Sequence, residues 1–323
     1  MTNFAATVPT TPLSDAYHGG TSVFIYIMKY DKLPIDFPAQ IALLKERGMT
    51  FTDEDKALEG LFSISYFRLA SYWRHLEHRK SRLFKTDAKF EDVLKLYAFD
   101  QQLRNIIFSA IQNIEIAFRT RVSHFLSMKY GAFWFLDSSL FKDEAIHKSC
   151  VEKLKEEITR SHEDFIKEHN DKYDEPECPP SWKTMEVASF GTLSKLYSNI
   201  ADNDIKKVIS RSFQLPSYLF LENWMKCAAV LRNCCAHHAR LWNRRFSVIP
   251  KYPANLPGAW IATPLRRPEK LYGQLCCLAY LEQSIHPNSS LKQNIIALMS
   301  AHPEIDLNAK GFQSDWQEQP LWR

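Results

Sequence analysis

Apolar residues recur every three or four positions along most of the chain, the period of helices that each turn one face to a core. The most regular stretch runs from Phe90 to Tyr130. There Leu96, Phe99, Leu103, Ile107, Ile111, Ile114, Phe118, Val122 and Phe125 keep the step, and Gly131 supplies a stop. About forty residues at 1.5 Å each would reach about 60 Å, so a bend or one break is expected in this spine. Before it, the pattern predicts a short helix from Pro38 to Gly48. A second follows from about Asp53 to His78, with Leu58, Leu61, Phe62, Ile64, Tyr66, Phe67, Leu69 and Tyr72 on its core side. After the spine, residues 143–170 read as an outer helix with a thin apolar stripe, and a further helix starts near Ser181 and restarts at Gly191 and Thr192. A long run then opens at Ser217, with Leu219, Trp224, Ala228 and Leu231 facing the core. Four prolines make residues 247–267 a loop, and a last apolar helix spans about Glu269 to Ile285.

Composition narrows the fold class. Nine glycines against 21 Phe, 13 Tyr and 8 Trp leave few positive-φ turn positions, which argues against a sheet built on tight turns and for an all-α bundle. Four regions follow: a flexible arm over 1–30, a helical extension with a basic segment over 31–89, a helical bundle over 90–285, and a peripheral tail over 286–323. The seven cysteines include no C-x-x-C pair, and four of them sit in apolar stretches as small buried hydrophobes, so a reducing, cytoplasmic setting is expected. No export signal and no stretch long enough to span a membrane is visible. No Gly-rich phosphate loop and no H-x-x-x-H spacing occurs, so neither a cofactor nor a metal is expected.

A net charge of +4 permits a nucleic-acid partner without requiring one, so local charge matters more. Arg74, Arg79, Lys80, Arg82, Lys85 and Lys89 fall within one short segment, beside Tyr72, Trp73 and Phe84. The segment reads either as a solvated loop or as a phosphate-tracking patch with rings for stacking.

One polar cluster interrupts an apolar helical run: Arg232-Asn233-Cys234-Cys235-Ala236-His237-His238-Ala239-Arg240, followed by Arg244 and Arg245. Groups of this kind are costly in a core unless paired, so they imply an exposed face or a function. Arg232 and His237 form R-x(4)-H, which suits metal-independent RNA cleavage. A neutral imidazole can take the 2′-hydroxyl proton or protonate the leaving oxygen, and a guanidinium can grip the phosphoryl oxygens. Residues five apart on a regular helix diverge by about 140°, so the pair requires a helix start or bend, whereas Asn233 shares a face with His237. His238 is an alternative base. A second R-x(4)-H, Arg119 and His124, lies in the long helix with Glu115 one turn before Arg119; it reads as a structural ion pair or as a second catalytic half.

Four ordered stretches resemble the Abi-like abortive-infection proteins: SISYFRLASYW (63–73), FDQQLRNIIFSAIQNIEIAFRTRVSHF (99–125), PPSWKTMEVASFGTLSKLY (179–197) and NWMKCAAVLRNCCAHHARLWNR (223–244). The resemblance implies a HEPN-type helical bundle and a toxin-like ribonuclease of phage defence, akin to the HEPN parts of RNA-targeting CRISPR effectors. It further implies a composite site shared by a homodimer. Carried over by position, it makes Arg232 and His237 catalytic, with Asn233, Glu115 and Arg119 in support and His238 fitting R-x(5)-H equally; His124 is a supporting candidate from the second R-x(4)-H alone. RNA is the expected partner, contacted by Arg74, Arg79, Lys80, Arg82, Arg240, Arg244 and Arg245, with an antitoxin protein or small RNA as restraint. The alternative is a non-catalytic RNA- or partner-binding module.

Overall fold

The computed structural model describes Tyr30 and residues 32–323, so the arm expected over 1–30 lies, Tyr30 apart, outside the described residues. Capping residues set the first elements. Asp36 accepts the Ala39 amide at 2.8 Å and opens α1 (Phe37–Glu46), and Asp53 accepts the Lys56 amide at 3.0 Å and opens α2 (Glu54–Ile64). The single helix expected from Asp53 to His78 breaks at Ser65, whose φ of 77° turns the chain into α3 (Tyr66–Trp73) and a 3-10 turn at Arg74–Leu76. The turn redirects the apolar face. Leu58, Phe62 and Phe67, expected on the core side, are exposed, while Leu61, Leu69, Tyr72 and Trp73 are buried.

The spine α4 (Phe90–Tyr130) is one helix of 41 residues with no break, stopped by Gly131 at φ 87°. It remains continuous because other helices cover it along its length: α3, α7 (Ser181–Val187), α10 (Tyr218–Ala236), α11 (Leu271–Ile285) and α12 (Leu291–Ala301) all pack on it. The outer segment divides into α5 (Glu144–Arg160) and α6 (Asp164–Asn170). Ser189 caps α8 (Phe190–Asn199), which packs on both α5 and α10. An additional helix, α9 (Asn203–Ser212), is capped by Asp202 and buries Ile205 and Ile209. Its sequence is mostly polar, so three apolar positions, one of them the exposed Val208, were too few to announce it.

Ser217 caps α10 as expected, but Leu219 in its first turn is exposed. The tail expected to be peripheral is instead built into the core. Its α12 lies on α4, and Phe312, Trp316, Leu321 and Trp322 are buried, with Phe312 and Trp322 against Tyr272. Trp316 and Trp322 sit in short 3-10 turns and Phe312 in the loop after another, with no helical period, which is why the pattern concealed them. Among the described residues there is no strand beyond isolated bridges such as Glu77 with Phe84, so the fold is all-α. No helix among them is long and apolar enough to cross a membrane.

Candidate active site

The R-x(4)-H pair of α10 straddles the end of the helix. Arg232 belongs to the last turns, whereas His237 is the cap residue, with its backbone amide donating to the Asn233 carbonyl at 3.0 Å. His238 follows in the left-handed region at φ 54°, donating to the Cys235 carbonyl, and Ala239 donates to the Cys234 carbonyl at 2.8 Å. This is a Schellman ending with histidine where glycine is usual, and a non-glycine residue there costs about 1 kcal/mol or more. His237 thus still lies on the helical ladder, and the change of direction comes one residue later, at His238. Asn233, His237 and His238 are all exposed.

A carboxylate from the spine meets this helix. Glu115 Oε2 lies 3.6 Å from Arg232 Nε, while Glu115 Oε1 accepts from Arg119 Nη2 at 3.0 Å. Arg119 is buried and also donates to the Ala188 carbonyl at 2.9 Å, tying the α7–α8 junction to α4. Thus the structure brings Glu115, Arg119 and Arg232 together, with Glu115 as the shared anion. Arg232 Nε is buried without a hydrogen-bond partner, whereas the side chain as a whole is 36% exposed, so the guanidinium is steered by the Glu115 charge and partly reaches solvent. His124 stands apart on the exposed side of α4, its ring edge-on to Phe125.

The segment after α10 is pinned from beneath by a group that motif spacing did not identify. Asp100, fully buried on α4, accepts the backbone amides of Leu241 at 2.9 Å and Trp242 at 2.8 Å. It also accepts from Tyr72 Oη at 2.8 Å and from Arg104 Nη1 at 2.7 Å. The signal was present as a D-x-x-x-R pair on an otherwise apolar helix face, where a buried charge needs a partner. Further bonds hold the same loop to α3: Arg68 Nη1 donates to the His238 carbonyl at 2.6 Å, and Arg240 to the Ser71 carbonyl. His75 packs against Trp242 with ring centroids 4.4 Å apart and the ring planes tilted by 58°.

These contacts place the two basic stretches side by side. Arg240 is held below the ordinary guanidinium range chiefly by burial, and the charges of Arg244 and Arg74 nearby act in the same direction. Lys270 is lowered likewise by burial and by Arg267, Arg245 and Arg240. Arg74, Arg79, Lys80 and Arg245 are exposed, whereas Arg244 is half-buried beside Phe246. Two of the expected phosphate contacts have structural partners instead: Arg240 is occupied with Ser71, and Arg82 pairs with Glu77 at 3.1 Å.

The seven cysteines are free and buried, and burial pushes the Cys227, Cys235 and Cys276 thiols up to about 12, well away from thiolate chemistry at neutral pH. Among the described residues no three His, Cys, Asp or Glu side chains are grouped as metal ligands.

No curated protein and no solved structure matches the chain. A family described as Abi-like protein matches residues 59–243, a span that begins in α2 and includes Tyr72, Asp100, Glu115, Arg119 and the whole Arg232–His238 cluster. Since that span is more than half of the sequence, the chain belongs to the Abi-like protein family.

Proposed function

We propose that this protein is a HEPN-type endoribonuclease of abortive-infection phage defence, cleaving RNA through the substrate's own 2′-hydroxyl without a metal ion. The observation that carries the reading is a half-exposed Arg232 steered by the Glu115 carboxylate, with His237 exposed at the end of the same helix. In the reaction His237, neutral, takes the 2′-hydroxyl proton. The 2′-oxygen forms a bond to phosphorus, and the bond from phosphorus to the 5′-oxygen breaks. That oxygen leaves with a proton from a second, protonated imidazole. Arg232 donates N–H bonds to the non-bridging oxygens as their charge builds. The products are a 2′,3′-cyclic phosphate and a 5′-hydroxyl.

One chain presents one such pair, and His238 or the His237 of a second copy would supply the second imidazole, which favours a homodimer. Glu115 acts as a positioning residue for Arg232, Arg119 holds Glu115, and Asn233 sits one turn below His237 on its face. The proximity of the Arg74 and Arg244 regions supports an RNA track leading to the site, with Arg79, Lys80 and Arg245 as its exposed charges. An antitoxin protein or small RNA that covers this track would restrain the enzyme, and a cytoplasmic location fits an RNA substrate.

Cleavage of an end-labelled single-stranded RNA in EDTA tests the proposal, comparing the parent with Arg232→Ala and His237→Ala. Cutting by the parent alone, at every time point, is the expected result. The exposed basic surface also favours a second reading, a binding module that holds RNA without cutting it. That reading requires salt-sensitive RNA binding undiminished in His237→Ala and no cleavage by the parent.

A further inference from the structure

Away from this site, α4 and the turn between α11 and α12 line an open cleft of about 550 Å³. Its α4 wall includes Ser109 and Asn113, and Asn113 projects about 160° away from Glu115 around the helix. The cavity therefore opens on a different side of the spine from Arg232. It also draws on residues 282–294, beyond the part of the chain that matches the family.

Glu282 lines the cavity and is only 3% exposed. Its Oε1 accepts from Asn113 Nδ2 at 2.9 Å and from Ser289 Oγ at 3.0 Å, which orients the carboxylate, but Oε2 has no partner. No lysine or arginine lines the cavity. A carboxylate removed from water, with one oxygen shielded and unpaired and with His286 the only other titratable group on the lining, is a poor element of stability, and it is well suited to a cationic N–H donor. Ile106, Ala110 and Leu291 give the lining an apolar part, beside the polar His286, Asn288, Ser290 and Asn294 of the turn, and the volume is that of a small-molecule pocket.

We propose that this cavity binds an organic cation, a primary ammonium or guanidinium on a short aliphatic chain, with the charged end on Glu282 Oε2 and the chain along Ile106 and Leu291. The cation is either a free amine or the side chain of a lysine or arginine on another protein. Asn113 and Ser289 hold the carboxylate in place for either. The site is independent of the proposed nuclease reaction.

Calorimetric titration of the full chain with agmatine, with spermidine and with an end-capped Gly-Arg-Gly peptide tests this. Binding of at least one is expected, weakened by about tenfold or more in Glu282→Gln, since one charge-assisted bond is lost. Binding of the free amines alone would identify a small-molecule ligand, and binding of the peptide would identify a protein side chain; both support the site. Ser109 is exposed at the rim, so Ser109→Trp blocks the cavity without disturbing the core and decides the question if Glu282→Gln fails to fold. No binding by the parent, binding unchanged in the folded variants, or binding of nucleosides or Mg²⁺ in place of amines would overturn the proposal.

Discussion

The chain contains the same R-x(4)-H spacing twice, and the two copies have opposite fates. In α4 both residues lie inside a continuous helix: Arg119 is buried and bonded to Glu115 and Ala188, and His124 points to solvent on another side. In α10 the helix ends between the two residues: Arg232 is half-buried near Glu115, and His237 is the exposed cap residue. The same spacing therefore meets two different surroundings, a continuous helix and a helix end. The copies are nonetheless linked, since Glu115 meets both arginines, and the structural pair in α4 becomes the mount for the open one in α10.

The largest break in this contrast is expected at its anchor. Asp100→Ala leaves Arg104 buried without a carboxylate and frees the Leu241 and Trp242 amides. It is expected to lower stability by about 3–5 kcal/mol in denaturant unfolding, with cleavage lost as the loop detaches. Next, Arg232→Ala is expected to cut cleavage by about 10²–10³-fold with unfolding unchanged, because its charge is needed mainly in the transition state.

A pH effect comes from the tail that covers the same region. Burial holds Lys310 down to about 7, partly offset by Asp100 and Asp306. The folded state thus releases this proton before the unfolded chain does. Stability should rise with pH from about 7 toward the ordinary lysine range, and Lys310→Met should flatten that rise in unfolding curves. Smaller still, His238→Gly relieves the left-handed position and should stabilise by about 1 kcal/mol; retained cleavage in that variant would assign the base to His237. The smallest effect is expected for His124→Ala, with stability changed by no more than about 0.5 kcal/mol and cleavage unaltered.

Much of this was legible in the sequence. The spine, the start of α10 at Ser217 and the proline loop follow from periodicity and capping, and Arg232, His237 and Glu115 stood out as polar groups on apolar helices. Other features depend on contacts between distant segments. Ser65 gave no glycine-like signal for a left-handed turn, so α2 and α3 read as one helix and Phe67 as core. The bond from Asp100 to residues 241 and 242 crosses more than a hundred positions, and only packing reveals it. For the same reason Arg240 read as a free phosphate contact, whereas it is occupied with Ser71.

The most direct test of the central claim compares two substrates of identical sequence, one all-ribose and one fully 2′-O-methylated, incubated with the purified protein in EDTA. The account predicts that only the ribose strand is cut, leaving 2′,3′-cyclic phosphate ends, and that His237→Ala removes the activity by about 10²–10⁴-fold. Cutting of the methylated strand, or cutting that persists in His237→Ala, would contradict it.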